Sequence, residues 1–151
     1  MNDLTEIKNT NGKIMAVDFG DTRTGLAVSD ISRLLASGIG YVSPGGIEKT
    51  ADAVAELAKE HRAAAIVVGL PVNMDGSEGS RAARCRKFAD MLSARLEGIP
   101  VAMFDERMTT MTASRYLNET NTRGKKRKTV IDTLSAQIIL QNCLDRLKFM
   151  N

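Results

Sequence analysis

The chain has 151 residues, of which 43% are hydrophobic and 26% charged, and this suits one globular domain with its own core. Aromatic residues are scarce, at 4% with no Trp, so the core must rest on Ile, Leu, Val, Met and Ala. No apolar run approaches the roughly 20 residues that span a bilayer, and the N-terminal residues lack the apolar segment of a secretory signal. The two cysteines, Cys85 and Cys143, are expected to be reduced thiols. We therefore expect a cytoplasmic protein without a membrane partner.

The first part of the chain predicts a leader, three strands and a helix. Residues 1–12 are polar and are expected to form a flexible leader to a single domain over 13–151. Strands are predicted at 13–19, 24–29 and 35–43, with the first two joined as a hairpin through Asp21-Thr22-Arg23. A helical face follows, made of Ile47, Ala51, Val54 and Ala58, with Leu57 on its flank.

Strands and helices alternate in the rest of the chain. The near-continuous apolar run 64–69 is typical of a central parallel strand, and a loop over 70–79 follows it. A helix is then predicted by an apolar stripe and ended by Gly98, and a fifth strand covers 100–104. A short helix at 110–117, a polar basic loop at 118–128 and a long helix at 129–149 complete the pattern. The stripe consists of Cys85, Phe88, Ala89, Leu92 and Leu96.

The order of these elements predicts an α/β fold. Three meandering strands followed by strand–helix alternation imply a five-stranded mixed sheet, with an antiparallel meander, parallel strands and helices on both faces. The order βββαβαβαα is the one used by the ribonuclease-H-like fold.

Acidic residues stand at two strand ends. Asp18 is the only charge within the apolar stretch 14–19, where it either solvates a strand end or holds a ligand. Asp105 and Glu106 follow the fifth strand directly, and alternation along a strand points them to opposite faces, so at most one can join Asp18. The structural alternative is a local charge cluster in which Arg107 pairs one of the acids.

Asp132 has two interpretations. With Thr129 it resembles a capping arrangement at a helix start, which needs no chemistry. It also shares a helical face with the small residues Ser135 and Ala136, and with Ile139, which would let the helix bring Asp132 over the strand ends. Both interpretations stay open at this point.

Convergent acids would suit phosphodiester cleavage. Two Mg²⁺ or Mn²⁺ ions, roughly 4 Å apart, can activate water and relieve charge on the leaving oxygen. Such hard cations require oxygen ligands. A His-rich metal site is excluded because His61 is the only histidine, and its position at a helix end favours an interaction with the helix dipole.

The basic residues are concentrated in one segment. Five cations fall within six positions, and without them the rest of the chain would carry a net negative charge. The segment is either a solvated loop or a surface for a phosphate-bearing partner. Its cations are Arg123, Lys125, Lys126, Arg127 and Lys128.

Four long motifs resemble the YqgF/RuvX family of bacterial proteins, which are described as Holliday junction resolvases and as pre-16S ribosomal RNA nucleases. In family order they are AVDFGDTRTGLAVSD (16–30), VVGLPVNMDGSEGSRAARCRKFADML (67–92), FDERMTTMTAS (104–114) and KKRKTVIDTLSAQIILQNCLD (125–145). The resemblance implies that Asp18, Glu106 and Asp132 are the catalytic, metal-binding acids. Ser135 stands where the family usually has Ala, and Asp21 adds an acid at a position that the family leaves variable.

The resemblance also implies a nucleic-acid partner. Arg23 matches an arginine of the family pattern and is a candidate for phosphate or structural contact. The loop with Asn73 either presents that side chain and backbone amides to nucleic acid or forms a rigid turn around Pro71 and Gly76. The residues expected to contact nucleic acid are Arg23, Asn73, Arg81, Arg107, Lys125, Lys126, Arg127 and Lys128.

The leading function is that of a metal-dependent nuclease that processes the 5′ end of precursor 16S rRNA, in association with the ribosome. Holliday junction resolution is the alternative, and symmetric cutting of two strands would call for a C2 homodimer. A non-catalytic nucleic-acid- or ribosome-associated factor is a lower alternative. An ATP-binding domain of the actin/sugar-kinase type is disfavoured, because those proteins enclose nucleotide between two such domains and 151 residues provide one.

Overall fold

The structure is a computed structural model that describes residues 3–108 and 124–150, and over 124–132 it describes the backbone alone. The strands are β1 (Ile14–Asp18), β2 (Thr24–Ser29), β3 (Ala36–Val42), β4 (Ala65–Leu70) and β5 (Val101–Asp105). The helices are α1 (Leu4–Lys8), α2 (Ile47–Glu60), α3 (Ser80–Arg95) and α4 (Gly124–Lys148), and a 3₁₀ turn spans Glu106–Met108.

The five strands form one mixed sheet in the order β3-β2-β1-β4-β5. β1 pairs antiparallel with β2, and β2 with β3, whereas β4 lies parallel to both β1 and β5. Every residue of β4 is buried, as expected for a central parallel strand covered on both sides. The predicted mixed sheet, its meander and its parallel strands are confirmed.

The core is divided by the sheet into two layers. Alternate residues of β1 separate cleanly, because Met15 and Val17 pack on the side of α2 and α3, while Ile14 and Ala16 pack on the side of α4. Phe88 and Leu92 of α3 fill the first layer, and Ile139, Leu140 and Leu144 of α4 fill the second. Side-chain alternation thus determines which residues can reach a site on either side.

The two cysteines are free, as predicted, and both are buried. Cys85 belongs to the α3 layer and Cys143 to the α4 layer, so the sheet separates their thiols. Burial raises the pKa of Cys85 to about 11 and that of Cys143 to about 12, which keeps both thiols protonated near neutral pH. Among the residues that the structure describes, none lies in a helix long and apolar enough to span a membrane.

Two segments differ from the sequence-based expectation. The leader over 1–12 contains α1 from Leu4 to Lys8, with Ile7 fully buried against the α4 layer. The final helix begins at Gly124 rather than at residue 129, so the predicted basic loop over 118–128 is wrong from residue 124 onward, and Lys125 to Lys128 form the first turns of α4. The short helix predicted at 110–117, and Arg123, lie outside the described residues.

Candidate active site

The carboxyl ends of three parallel strands meet at one edge of the sheet. β1 ends at Asp18, β4 at Leu70 and β5 at Asp105, and β4 lies between the other two. Ligands of open α/β sheets commonly bind at this edge, because side chains and loops from several strands converge there. The edge is therefore the first place to look for the site.

Asp18 lies in a row of residues that crosses the sheet on the α4 side. It pairs with Gly25 of β2, which pairs with Tyr41 of β3. On its other side, the register of Val17 with Val68 brings Gly69 of β4 next to Asp18. Asp18 is half-buried, and its two neighbours in this row are glycines, which place no side chain beside its carboxylate.

Glu106 approaches the same side from β5. Phe104 is buried in the α4 layer, and Glu106 follows it by two residues. A Cβ atom placed on Gly69 would lie 3.3 Å from Glu106 Cδ and 2.7 Å from Ile139 Cδ1, so the Glu106 side chain rests over Gly69 beside α4. Asp18 and Glu106 thus flank one glycine. The structure brings these two predicted acids together.

Glu106 titrates unlike an exposed carboxyl. Burial raises its pKa, the Arg81 guanidinium acts in the opposite direction, and Asp105 raises the pKa further. The net direction is upward, because the effect of burial on the pKa exceeds that of the Arg81 guanidinium. A carboxylate of this kind gains from a bound cation.

Asp105 points away from Glu106, as strand alternation predicts. The Arg107 guanidinium donates to both of its oxygens, at 3.2 Å from Nε to Oδ1 and 2.7 Å from Nη2 to Oδ2, and the Arg107 backbone N–H adds a bond of 2.9 Å to Oδ1. These bonds hold the pKa of Asp105 below its usual value. The expected local pair between Arg107 and an acid is present, so Arg107 is already engaged by a carboxylate.

The backbone of α4 directs Asp132 toward this edge. Gln141 Nε2 donates to Leu34 O, Gln137 Nε2 donates to Ala36 O, and Thr133 lies against Gly38. Moving toward the start of α4 therefore means moving along β3 toward the Asp18 edge. Thr129 lies inside α4, so its proposed role at a helix start is wrong. The Asp132 side chain itself lies outside the described side chains.

A cavity of about 370 Å³ opens beside Asp18. It is lined by residues 18–23 and by Arg81 from the first turn of α3, so Arg81, a predicted nucleic-acid contact, lies beside Asp18. Arg81 Nη2 lies 3.5 Å from Phe19 O, a long hydrogen bond.

Helix α3 holds the turn that follows Asp18. Arg84 forms an ion pair of 3.0 Å with Asp21, and the Phe88 ring stacks on Phe19 with centroids 4.6 Å apart. Thr24 Oγ1 donates to Gly20 O at 3.2 Å across the same turn. Sequence reasoning missed these contacts, although the spacing of 84 and 88 along one helical face was a usable signal.

The other residues predicted to contact nucleic acid lie in different parts of the structure. Asn73 is exposed in the loop after β4, where its Nδ2 donates to Ser77 Oγ at 3.0 Å and its carbonyl accepts from Gly76 N at 2.8 Å. These bonds are those of a rigid turn, one of its two interpretations. Arg23 lines the Asp18 cavity. The side chains of Lys125, Lys126, Arg127 and Lys128 lie outside the described side chains.

Sequence reasoning also missed three residues of the row. Gly25 and Gly69 are the neighbours of Asp18 in the row, Gly69 admits Ile139 and Glu106 close to the sheet, and Tyr41 is the last residue of the row on β3. A glycine inside an apolar strand pattern often marks a close approach, and that signal was available. Within residues 3–108 and 133–150, no three His, Cys, Asp or Glu side chains are grouped as a metal site. Asp18 and Glu106 are the two predicted acids whose side chains the structure describes.

Comparison with known proteins finds relatives that match most of the chain. A protein of Phenylobacterium zucineum strain HLK1, provisionally named a pre-16S rRNA nuclease, is 41% identical over 147 residues, which cover 97% of this chain and 94% of that protein. A protein of Myxococcus xanthus strain DK1622 with the same provisional name is 44% identical over 133 residues, 88% of this chain and 87% of that protein.

Solved structures show the same fold. Thermus thermophilus RuvC in complex with a Holliday junction substrate superposes with a TM-score of 0.59 at 15% identity, covering 93% of this chain and 98% of that one. Fowlpox virus resolvase in complex with Holliday junction DNA gives a TM-score of 0.50 at 10% identity, covering 90% and 97%. This likeness confirms the ribonuclease-H-like fold. A family model described as "RuvX: Holliday junction resolvase" matches residues 12–146, and the chain therefore belongs to the RuvX family.

Proposed function

We propose that this RuvX-family chain is a nuclease that hydrolyses phosphodiester bonds in structured nucleic acid, with Asp18, Glu106 and Asp132 as its metal-binding acids. One observation carries the proposal: Asp18 and Glu106 lie on the same side of the same sheet edge, on either side of Gly69. Family membership and the named nucleases among the relatives support the reaction type.

The described residues fit a divalent metal. The donors are carboxylate oxygens, which Mg²⁺ and Mn²⁺ prefer, and the residues that carry them lie on either side of Gly69. The raised pKa of Glu106 indicates charge that a cation would compensate. Asp18 and Glu106 would hold the metal together with Asp132, toward which the course of α4 points. When bound, one or two such ions activate water and stabilise negative charge on the leaving oxygen.

The residues of the chain bind and orient the substrate. Arg81 and Arg23 line the cavity beside Asp18, so their guanidinium groups can contact phosphate oxygens next to the acids. The cations Lys125 to Lys128 belong to the turns of α4 that precede Asp132, so the same helix that carries the third acid begins with a basic segment. That segment would bind the phosphate backbone on either side of the cleaved bond.

The substrate that we favour is precursor 16S rRNA, trimmed at its 5′ end during ribosome assembly in the cytoplasm. The provisional names of the relatives support it. The second candidate is Holliday junction DNA, which the description of the family favours. Resolution of a junction needs two symmetric cuts and therefore a C2 homodimer, whereas trimming of an RNA end does not. Light scattering that gives a monomer at assay concentrations would count against the second candidate.

The test of the proposed function is Asp18→Asn, assayed in Mg²⁺ and in Mn²⁺ on precursor 16S rRNA and on a four-way DNA junction. Cleavage should fall about 100-fold or more, because metal-assisted catalysis contributes several kcal/mol to the transition state. Asp90→Asn, on the exposed side of α3, is the matched control and should keep full activity. In calorimetric titrations, Mn²⁺ should bind more weakly to Asp18→Asn than to wild type, whereas its binding to Asp90→Asn should equal that of wild type.

Unchanged cleavage by Asp18→Asn on both substrates would sink the metal-site proposal. Wild-type protein that binds both nucleic acids but cleaves neither, with or without metal, would favour the non-catalytic factor instead.

A further inference from the structure

Tyr41 is an aromatic residue at the edge of the candidate site. β3 is an edge strand of the sheet, and Tyr41, which lies near the C-terminal end of this strand, is 42% exposed. Its register with Gly25, and that of Gly25 with Asp18, place Tyr41 in the same row and on the same side as the Asp18 carboxylate. Since Gly25 has no side chain, no side chain of β2 stands between Tyr41 and Asp18 in this row.

Arg23 lies over the Tyr41 ring. Its guanidinium carbon is 5.6 Å from the ring centroid, within the range of a cation–π contact. Arg23 also lines the 370 Å³ cavity beside Asp18. Arg23 therefore contacts the Tyr41 ring and lines the same cavity as Asp18.

The backbone around Arg23 is held on both sides. Ser43 Oγ, just beyond β3, donates to Thr22 O at 2.6 Å. Thr24 Oγ1 donates to Gly20 O and accepts from Gly20 N at 3.3 Å. With the turn fixed in this way, the direction of the Arg23 side chain depends on what the guanidinium touches.

An aromatic ring that packs against a guanidinium restricts the orientation in which the guanidinium can bind a ligand. A stacked guanidinium uses its flat face for the ring, while its N–H groups lie in its own plane and remain able to donate. Those in-plane donors match the oxygens of a phosphate group, and they do so in pairs. Holding the plane of Arg23 therefore also sets the direction from which a phosphate can be bound.

We propose that Tyr41 is a positioning residue for substrate binding: its ring orients the Arg23 guanidinium over the Asp18 cavity so that the guanidinium binds a phosphate next to the cleaved bond. The inference rests on the proposed nuclease function and goes beyond it, because it assigns a role to a residue outside the four family motifs. The ligand chemistry is a phosphodiester, which RNA and DNA share.

Binding and cleavage are measured separately to test this. Fluorescence anisotropy in EDTA gives the Kd for a fluorescein-labelled RNA duplex with a 5′ single-stranded extension, and for a labelled four-way DNA junction. A denaturing gel confirms that the probes stay intact. The variants are Tyr41→Leu, Tyr41→Phe, Arg23→Gln and the double variant Tyr41→Leu/Arg23→Gln. Phe149→Leu, an 87% exposed aromatic residue after the end of α4, is the control.

If Tyr41 acts on binding through Arg23, the affinities of the variants should follow a specific pattern. Tyr41→Leu should raise Kd about 3- to 10-fold, as for loss of a cation–π contact, whereas Tyr41→Phe should stay within about twofold of wild type. Arg23→Gln should raise Kd about tenfold and reduce the slope of log K against log salt by about 1. The double variant should bind no more weakly than Arg23→Gln.

Each of the following results would overturn the inference. They are a further loss of affinity from Tyr41→Leu in the Arg23→Gln background, a Tyr41→Phe variant as weak as Tyr41→Leu, and wild-type protein that binds neither probe. If Tyr41→Leu binds the probes as wild type does, while cleavage depends on Asp18, the inference about Tyr41 is rejected but the proposed nuclease function is not. If binding depends on Tyr41 but the wild-type protein cleaves neither substrate in Mg²⁺ or Mn²⁺, the proposed nuclease function is rejected but the role of Tyr41 in binding is not.

Discussion

At the residue scale, Glu106 and Asp105 are adjacent carboxyl groups whose surroundings differ. The Glu106 side chain is partly withdrawn from water over Gly69, and this burial raises its pKa. Arg81 offsets only part of the effect, while neighbouring Asp105 is fully engaged with Arg107 and its pKa is lowered. The pKa values of these two adjacent carboxyl groups thus shift in opposite directions, because strand alternation gives the two side chains different surroundings.

Glu106→Gln should stabilise the metal-free protein at neutral pH. The raised pKa means that the native protein favours the protonated acid, so the wild type loses stability as the pH rises through that pKa, and Gln does not. Melting temperatures in EDTA should therefore be higher for the variant at pH 7–8. The difference should vanish below about pH 4, the ordinary range of a Glu carboxyl.

The matched control for this experiment is Glu97→Gln, in the exposed turn after α3, which should show no such pH-dependent gain. A Glu106→Gln variant that melts below wild type at pH 7 would show that the carboxylate is compensated within the protein and would weaken the case for a cation there.

At the scale of elements, the site depends on how closely α4 approaches β4. The Ile139 side chain reaches Gly69, and Thr133 reaches Gly38, at positions where any Cβ would collide with the helix. Glycine is thus used twice to let α4 lie close to the sheet. The same approach brings the turn of α4 that carries Asp132 toward the Asp18 edge.

Gly69→Ala should lower both stability and cleavage. Its Cβ would meet Ile139 Cδ1 at 2.7 Å and Glu106 Cδ at 3.3 Å, and overpacking of this kind costs about 1–3 kcal/mol. Chemical denaturation gives the free energy of unfolding, and the cleavage assay gives kcat. Gly79→Ala, whose Cβ would meet no atom within 4 Å, is the control.

Adding Ile139→Val to Gly69→Ala separates the two effects. Val lacks the terminal carbon that collides with the new methyl group, so the double variant should recover part of the stability. Cleavage should stay low, because the contact of the methyl group with Glu106 remains. Full recovery of kcat in the double variant would show that Glu106 does not depend on the space at Gly69.

At the scale of the whole molecule, the two ends of the described chain are joined at the sheet edge opposite the site. Lys8 Nζ donates to Leu147 O at 2.8 Å and also to Met150 O, so an ammonium group meets the last carbonyls of α4. Arg33 Nε donates to Gly12 O at 2.7 Å and its Nη2 to Thr10 Oγ1 at 2.6 Å. Residues 3–12 are thereby integrated with the domain.

Lys8→Met should destabilise the fold without affecting the site. Loss of charged donors to two carbonyls should lower the free energy of unfolding by about 1 kcal/mol. The value of kcat should not change, because Lys8 lies near the beginning of β1 and Asp18 at its end. Lys87→Met, on the exposed face of α3, is the control. A fall in kcat with unchanged stability would contradict this separation.

Short-range patterns in the sequence were enough for most of the architecture. Alternating and continuous apolar runs predicted all five strands, and helical stripes predicted α2 and α3, because burial imposes these periodicities directly on the residues. The opposite directions of Asp105 and Glu106 also followed from alternation alone. The start of α4 was misjudged, because a basic segment with a glycine has the composition of a loop.

The sequence by itself determined that the chain has this α/β fold and that Asp18 and Glu106 stand at strand ends. Only the tertiary structure decided that these acids flank Gly69, that α3 holds the turn after Asp18, and that Arg23 packs on Tyr41. The physical reason is that register between strands and the approach of helices depend on packing between distant segments. No local pattern encodes which residues become neighbours across a sheet.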